Sequence, residues 1–126
     1  MEKLIEQATA NWETMNKGER ALAKAAVSAK EEGLYAPTFG LGIGNVVWEN
    51  EIAEIVEAAN KWNIVTVLYA SGQSGTLETL GLFLEAGASV GAMQKLTLKK
   101  TESLEIVDGE MRKVPRKVWA VEIQIF

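Results

Sequence analysis

Among its 126 residues the chain has no cysteine and no histidine. Without thiolates there is neither a disulfide framework nor a sulfur metal site, and without imidazoles the usual zinc and iron ligand sets are missing. The same absences remove the commonest general base and every Ser-His-Asp or Cys-His arrangement, so bond-breaking chemistry would fall to carboxylates, Lys, Tyr or Ser/Thr. The nearest approach to a catalytic pair, Tyr69 with Glu49 or Glu51, rests on no recognisable spacing. No catalytic residue, metal or cofactor is therefore expected. No apolar run comes near the ~20 residues that span a bilayer. The N-terminus has mixed charge instead of a basic leader and an apolar core, so no signal peptide and no membrane partner are expected, and a cytoplasmic location is the default.

A basic excess is also lacking. Lys and Arg number 13 against 17 Asp and Glu, a net charge of -4. The imbalance sits in residues 1–60, where five Lys/Arg face ten Glu, while residues 61–126 hold eight against seven. A protein that grips nucleic acid over a broad surface is expected to be basic overall, since phosphate neutralisation supplies most non-specific affinity. One local exception exists: Lys95, Lys99, Lys100, Arg112, Lys113, Arg116 and Lys117 outnumber Glu102, Glu105, Asp108 and Glu110.

What is present is an ordinary globular composition, 48% hydrophobic and 24% charged. The length fits one domain, 1–126, with a core of its own. Residues 1–34 read as a helical segment. Ile5, Ala8, Trp12 and Met15 recur at helical spacing, and Leu22, Ala25, Ala26 and Ala29 continue the stripe. Asn16 followed by Glu19 resembles a capping box and Gly18 is a poor helix interior, so a break near Asn16 is predicted. Gly33 suits a left-handed helix end, with Leu34 folding back on Ala29. The small side chains of Ala21, Ala25 and Ala29 allow another helix, or a partner, to approach closely.

Residues 35–126 read as an α/β sheet body. Gly40, Gly42 and Gly44 alternate with Leu41 and Ile43, which predicts a first strand over about Thr38 to Trp48 with one bare face; the spacing is not a dinucleotide fingerprint. Asn50 is a candidate N-cap for a helix that buries Ile52, Ile55, Val56 and Ala59, and Asn63 can end that helix in a left-handed conformation. Glu49, Glu51, Glu54 and Glu57 then form an acidic row, either a solvated face or a contact for a basic partner. Ile64 to Ala70 predicts a strand covered on both faces. Ser71, Gly72, Gln73, Ser74, Gly75 and Thr76 lead from it into a helix over about Leu77 to Ala86. This turn either caps the helix or holds a phosphate or carboxylate; it lacks the Gly-Lys-Ser/Thr ending of a phosphate loop. Val90 to Thr101 and Trp119 to Phe126 alternate as strands, and Asp108-Gly109 marks a hairpin within Leu104 to Lys117. The fold class expected is α+β: a helical N-terminal segment, then a mixed sheet of four or five strands with helices on one face.

Two resemblances attach to these residues. From about Thr38 to Phe126 the element order is similar to that of Alba proteins and of the C-terminal domain of translation initiation factor 3, both nucleic-acid binders. Where Alba has a basic loop after its first strand, this chain has acidic Trp48-Glu49-Asn50-Glu51. The Ser-rich turn Ser71 to Thr76, with Leu77, Leu80, Phe83, Gly87 and Val90-Gly91, resembles small uncharacterised phage and prophage accessory proteins. That likeness implies a mobile-element protein whose work is binding.

Three roles follow as expectations. The first is an accessory inhibitor that holds a host or anti-phage defence protein against its acidic face at Glu49, Glu51, Glu54 and Glu57. The second is a nucleic-acid binder using Lys99, Lys100, Arg112, Lys113, Arg116 and Lys117. The third is a nucleotide or anion binder at Ser71 to Thr76. An exposed final strand and the apolar content also allow a homodimer.

Overall fold

The structure, a computed structural model, describes residues 1–41, 47, 49–70 and 76–126. Four helices are present among them: α1 Glu2–Asn11, α2 Lys17–Glu32, α3 Ile52–Lys61 and α4 Thr76–Glu85. Four strands, β1 Thr38–Phe39, β2 Thr66–Ala70, β3 Ser89–Val107 and β4 Glu110–Gln124, form one mixed sheet in the order β1-β2-β4-β3. β1 is parallel to β2, while β4 is antiparallel to both β2 and β3. This is the expected α+β fold, with the N-terminal helices first.

The helical segment breaks where the sequence predicts it. A 3-10 turn, Trp12–Thr14, follows α1. The Asn16 side chain then accepts the Glu19 amide at 2.8 Å and starts α2. At the other end Gly33 has φ 73°, and the Leu34 amide donates to the Ala29 carbonyl at 2.8 Å, closing the helix as a left-handed glycine allows. Gly18 has a separate purpose. A Cβ there would lie 2.4 Å from the backbone carbon of Glu54, so its absence lets α2 start directly against α3. Its amide donates to Glu54 Oε2 at 3.1 Å, satisfying one of the orphan donors of the α2 N-terminus.

The two faces of the sheet are covered differently. Val67, Tyr69, Val121 and Ile123 join Leu4, Leu22, Ala25, Ala26, Ile52, Ile55 and Phe83 in the main core, so this face carries the helices. On the opposite face Leu68, Leu96 and Ala120 pack with Ala36, Leu34 and Val118. That cover comes from the segment between α2 and β1. Glu32 bonds to Lys100 and Thr101 of β3, Tyr35 to Gln94 and Glu122, and Ala36 reaches Leu68, so the segment crosses from the β3 side to β1.

Several sequence expectations are corrected. β1 ends at Phe39, because Gly40 takes φ 81° and a Cβ there would lie 2.5 Å from the Ala70 carbonyl oxygen. The rest of the strand expected over Thr38 to Trp48 falls largely outside the described residues. Asn50 does not cap α3: it lies inside a 3-10 turn, Glu49–Glu51, and Glu51 precedes the helix without a side-chain cap bond. β2 starts at Thr66, leaving Val65 exposed. The Leu104 to Lys117 hairpin and the last strand are not separate elements. They are one ladder, in which 19-residue β3 pairs with 15-residue β4 around Asp108-Gly109. Both turn residues have positive φ, 52° and 79°, as a two-residue turn matched to strand twist requires.

Candidate functional site

Unequal strand lengths create the surface of interest. β2 pairs with β4 only from Ala120 to Gln124, so toward the hairpin tip β3 and β4 continue as a ribbon of two strands. Among the described residues no third strand joins this ribbon, and a two-stranded ribbon is marginal in water by itself. Residues 104–106 and 108–113 are all exposed.

Alternation assigns each ribbon side chain to a face. Trp119, Val121 and Ile123 of β4 lie on the helix-bearing side, so Lys117, Pro115, Lys113 and Met111 follow on that side. Their registered partners are Val90 with Ile123, Met93 with Val121, Lys95 with Trp119, Thr97 with Lys117, Glu102 with Pro115, Leu104 with Lys113 and Ile106 with Met111. Six large apolar side chains on this face of the ladder are exposed in part or in large measure. Val90 is 37% exposed, Met93 70%, Trp119 50%, Leu104 63%, Ile106 74% and Met111 65%. Lys95, Lys113, Lys117 and Glu102 are interleaved with them, and the Lys95 ammonium stands 5.8 Å from the Trp119 ring centre. At the base of this strip an apolar groove of about 440 Å³ opens between α4 and the sheet, lined by Tyr69, Leu80, Val90, Met93, Trp119 and Val121. On α4, Leu77 and Leu84 are exposed on the flank next to Leu80, while helical spacing sets Glu78 and Glu85 on the side away from the groove.

The other face of the ribbon is neutralised. Glu105 pairs across from Arg112, which also bonds Glu110 at 3.2 Å, and alternation places Arg116 on the same side. The expected basic set is therefore not brought together. Lys113 and Lys117 belong to the apolar strip, and Arg112 and Arg116 to the reverse face. Lys99 and Lys100 sit at the end of α2, where Lys99 packs along Gly33. There Glu32, buried, accepts the Lys100 amide at 2.7 Å, the Thr101 amide at 3.2 Å and the Thr101 hydroxyl at 2.6 Å, pinning the β3 irregularity between Thr97 and Glu102. Beside this joint lies a cleft of about 590 Å³ between α1, α2 and β3, with Ile5, Trp12, Val27 and Lys100 on its walls.

The acidic row is also divided. Glu49 and Glu57 are exposed and Glu51 is half-buried, but Glu54 points at α2 and serves its N-terminus. Of the expected anion turn, Ser71, Gly72, Gln73, Ser74 and Gly75 lie outside the described residues, and Thr76 is the first residue of α4. Among the described residues no cluster of three or more metal-ligating side chains occurs, and no helix is long and apolar enough to cross a membrane.

One polar network stands outside these sets. The Tyr35 hydroxyl donates to Glu122 and accepts from Gln94, whose amide also reaches Glu122 at 3.2 Å. Burial raises the Tyr35 phenol above its usual range, and the bond to the Glu122 carboxylate raises it further. The network ties the crossing segment to the sheet.

Met93, Trp119, Leu104, Ile106 and Met111 were not singled out as a site from sequence. A usable signal existed: counting back from Asp108-Gly109 sets Ile106 opposite Met111 and Leu104 opposite Lys113, and β4 alternation gives their face. Compared with known proteins, the chain matches no family, no curated protein and no solved structure.

Proposed function

We propose that this chain is a non-catalytic binding protein and that the β3/β4 strip is its protein-contact surface. The observation that carries the reading is the alignment of six exposed large apolar side chains along one face of the β3/β4 ladder. A contiguous apolar face rimmed by charge is the usual mark of a protein interface, and aromatic and Met side chains are enriched in interface cores. With Lys95, Lys113 and Lys117 against Glu102 the strip is net positive, which favours a partner surface that is apolar and acidic-rimmed. The likeness of Ser71 to Gly91 to phage and prophage accessory proteins supports a role fulfilled by binding. The divided basic set weighs against a phosphate-tracking surface, because Arg112 and Arg116 are on the reverse face from Lys113 and Lys117.

The test is site-specific photo-crosslinking in cells. A photoreactive residue at Ile106 or Met111 is expected to capture protein, and one at Glu105 or Arg112 is not. Equal capture from both faces, or none from either, would refute the assignment. Retardation of RNA or DNA at low salt that weakens steeply as salt is added would move the reading to nucleic acid.

A further inference from the structure

We infer that the partner adds an extended segment, as a third strand of the ribbon, to the free edge of β3 between Glu102 and Val107. The inference rests on the strip being a protein-contact surface and says how the partner seats beside it. In a two-residue hairpin the pair that flanks the turn exchanges both backbone bonds. Val107 with Glu110 is that pair, and alternation makes Glu105 with Arg112 and Ser103 with Val114 the next two. Glu102, Leu104 and Ile106 therefore turn their N–H and C=O groups away from β4, on an outer strand of the sheet. Met111, Lys113 and Pro115 do the same on the other edge of the ribbon.

The two edges are not alike. Pro115 has no N–H and stands where the ladder needs none, so its ring blocks pairing on the β4 edge and leaves the hairpin intact. With Lys113 and Lys117 beside it, that edge is blunted. From Glu102 to Val107 the β3 edge has no proline, no bulge and no lysine, and its two carboxylates stand on opposite faces, Glu105 across from Arg112. The edge closes only below this stretch, where Glu32 takes the Lys100 and Thr101 amides. Donors and acceptors alternating at strand spacing are matched in full by another extended backbone. On the strip side the added side chains would lie beside Leu104 and Ile106, so the segment is apolar at those alternate positions. A second copy fits poorly. Antiparallel self-pairing centred on Leu104 would bring the other copy's Asp108 turn to the place where Glu32 holds Lys100, and centring it one residue further on would set Glu105 against itself. The segment therefore belongs to another protein.

The experiment is photo-crosslinking in cells with the full chain, the photoreactive residue standing in turn at Glu102, Leu104 and Ile106. Mass spectrometry reads the position captured on the partner. The captured positions are expected to fall in one segment and to step by two residues from each probe to the next. Leu104→Pro puts at the β3 edge what Pro115 puts at the β4 edge. With the probe at Met111, it is expected to lower capture at least about tenfold below Leu104→Ala, which removes the same side chain and keeps the N–H. The ladder amides of Ser103 and Glu105 should stay protected from exchange in both variants. Captured positions spread over separate segments, or spaced by three and four as on a helix, would overturn the inference, as would equal capture by the two variants. Capture of a second copy alone would overturn the choice of occupant. If the parent captures nothing at Ile106 or Met111, the binding role falls as well; if it captures protein without the two-residue steps, only the strand addition falls.

Discussion

Gly18 and Gly81 both lie in helices, and replacing each by Ala is expected to change stability in opposite directions. Helix propensity alone favours Ala over Gly by roughly 0.5–1 kcal/mol at such positions. At Gly81, in α4, an added Cβ meets nothing within 4 Å, so Gly81→Ala should raise stability by most of that amount. At Gly18 the new carbon would lie 2.4 Å from both the backbone carbon and Cβ of Glu54 and 2.5 Å from its carbonyl oxygen. Backbone atoms of a packed helix do not yield as a side-chain tip does, so α2 and α3 must separate. Overpacking of this kind costs about 1–3 kcal/mol. Separation also stretches the Gly18 amide bond to Glu54, a charge-assisted bond worth about 1.5–3 kcal/mol. Set against the propensity gain, Gly18→Ala should lose about 2–4 kcal/mol, a large share of the stability of a domain this size. Urea unfolding of the two variants beside the parent reads both signs, provided the slope is unchanged. A Gly18→Ala protein as stable as the parent would refute the α2/α3 packing on which the core description depends.

Two further outcomes are expected. Glu32→Ala removes the acceptor for two backbone amides and a hydroxyl at the base of the ribbon, so it should cost about 2–3 kcal/mol and speed hydrogen exchange at Lys100 and Thr101 while leaving the β2/β4 amides protected. Unchanged exchange at those two amides would mean that Glu32 does not hold the joint. Tyr35 gives a pH dependence. Its folded phenol titrates above the unfolded value of 10.0, so the folded state holds the proton longer and its contribution, complete below pH 10, is lost as pH rises through the folded value. Alkaline titration of stability should therefore show a steeper fall above pH 10 in the parent than in Tyr35→Phe, and identical slopes would argue against the Tyr35–Glu122 bond.

Local chemistry made the body of the fold legible before any coordinates. Asn16, Gly33 and Asn63 perform helix-end duties that their side chains or backbone freedom prescribe, the last with φ 55°. Ile52, Ile55, Val56 and Ala59 face inward as their spacing requires. The Glu54 assignment failed for a different reason. Helical periodicity puts Glu54 on a polar side, but whether that side meets solvent or a neighbouring helix terminus depends on where α2 begins in space, and only the bare Gly18 backbone allows that approach. The apolar content of α4 is equally silent on coverage: of its residues only Thr79 and Phe83 are buried, and Leu77 and Leu84 are exposed.

The ribbon surface was hidden by a property that belongs to no single segment. Alternation in β3 and β4 reports which residues share a face, but it does not say which faces are covered. Coverage is set by the other elements. The five residues of β2 give β4 a second neighbour only from Ala120 onward, and α4 covers the sheet only as far as its groove. Past those limits the same alternating pattern that buries Val121 and Ile123 leaves Trp119, Met111, Ile106 and Leu104 in water. A sequence selected only to keep a monomer soluble would place polar residues there, as the reverse face does with Glu105, Glu110, Arg112 and Arg116. The difference between the two faces of one ribbon, which share turn, length and strand propensity, therefore points to an occupant of the apolar side instead of to the folding of the hairpin itself.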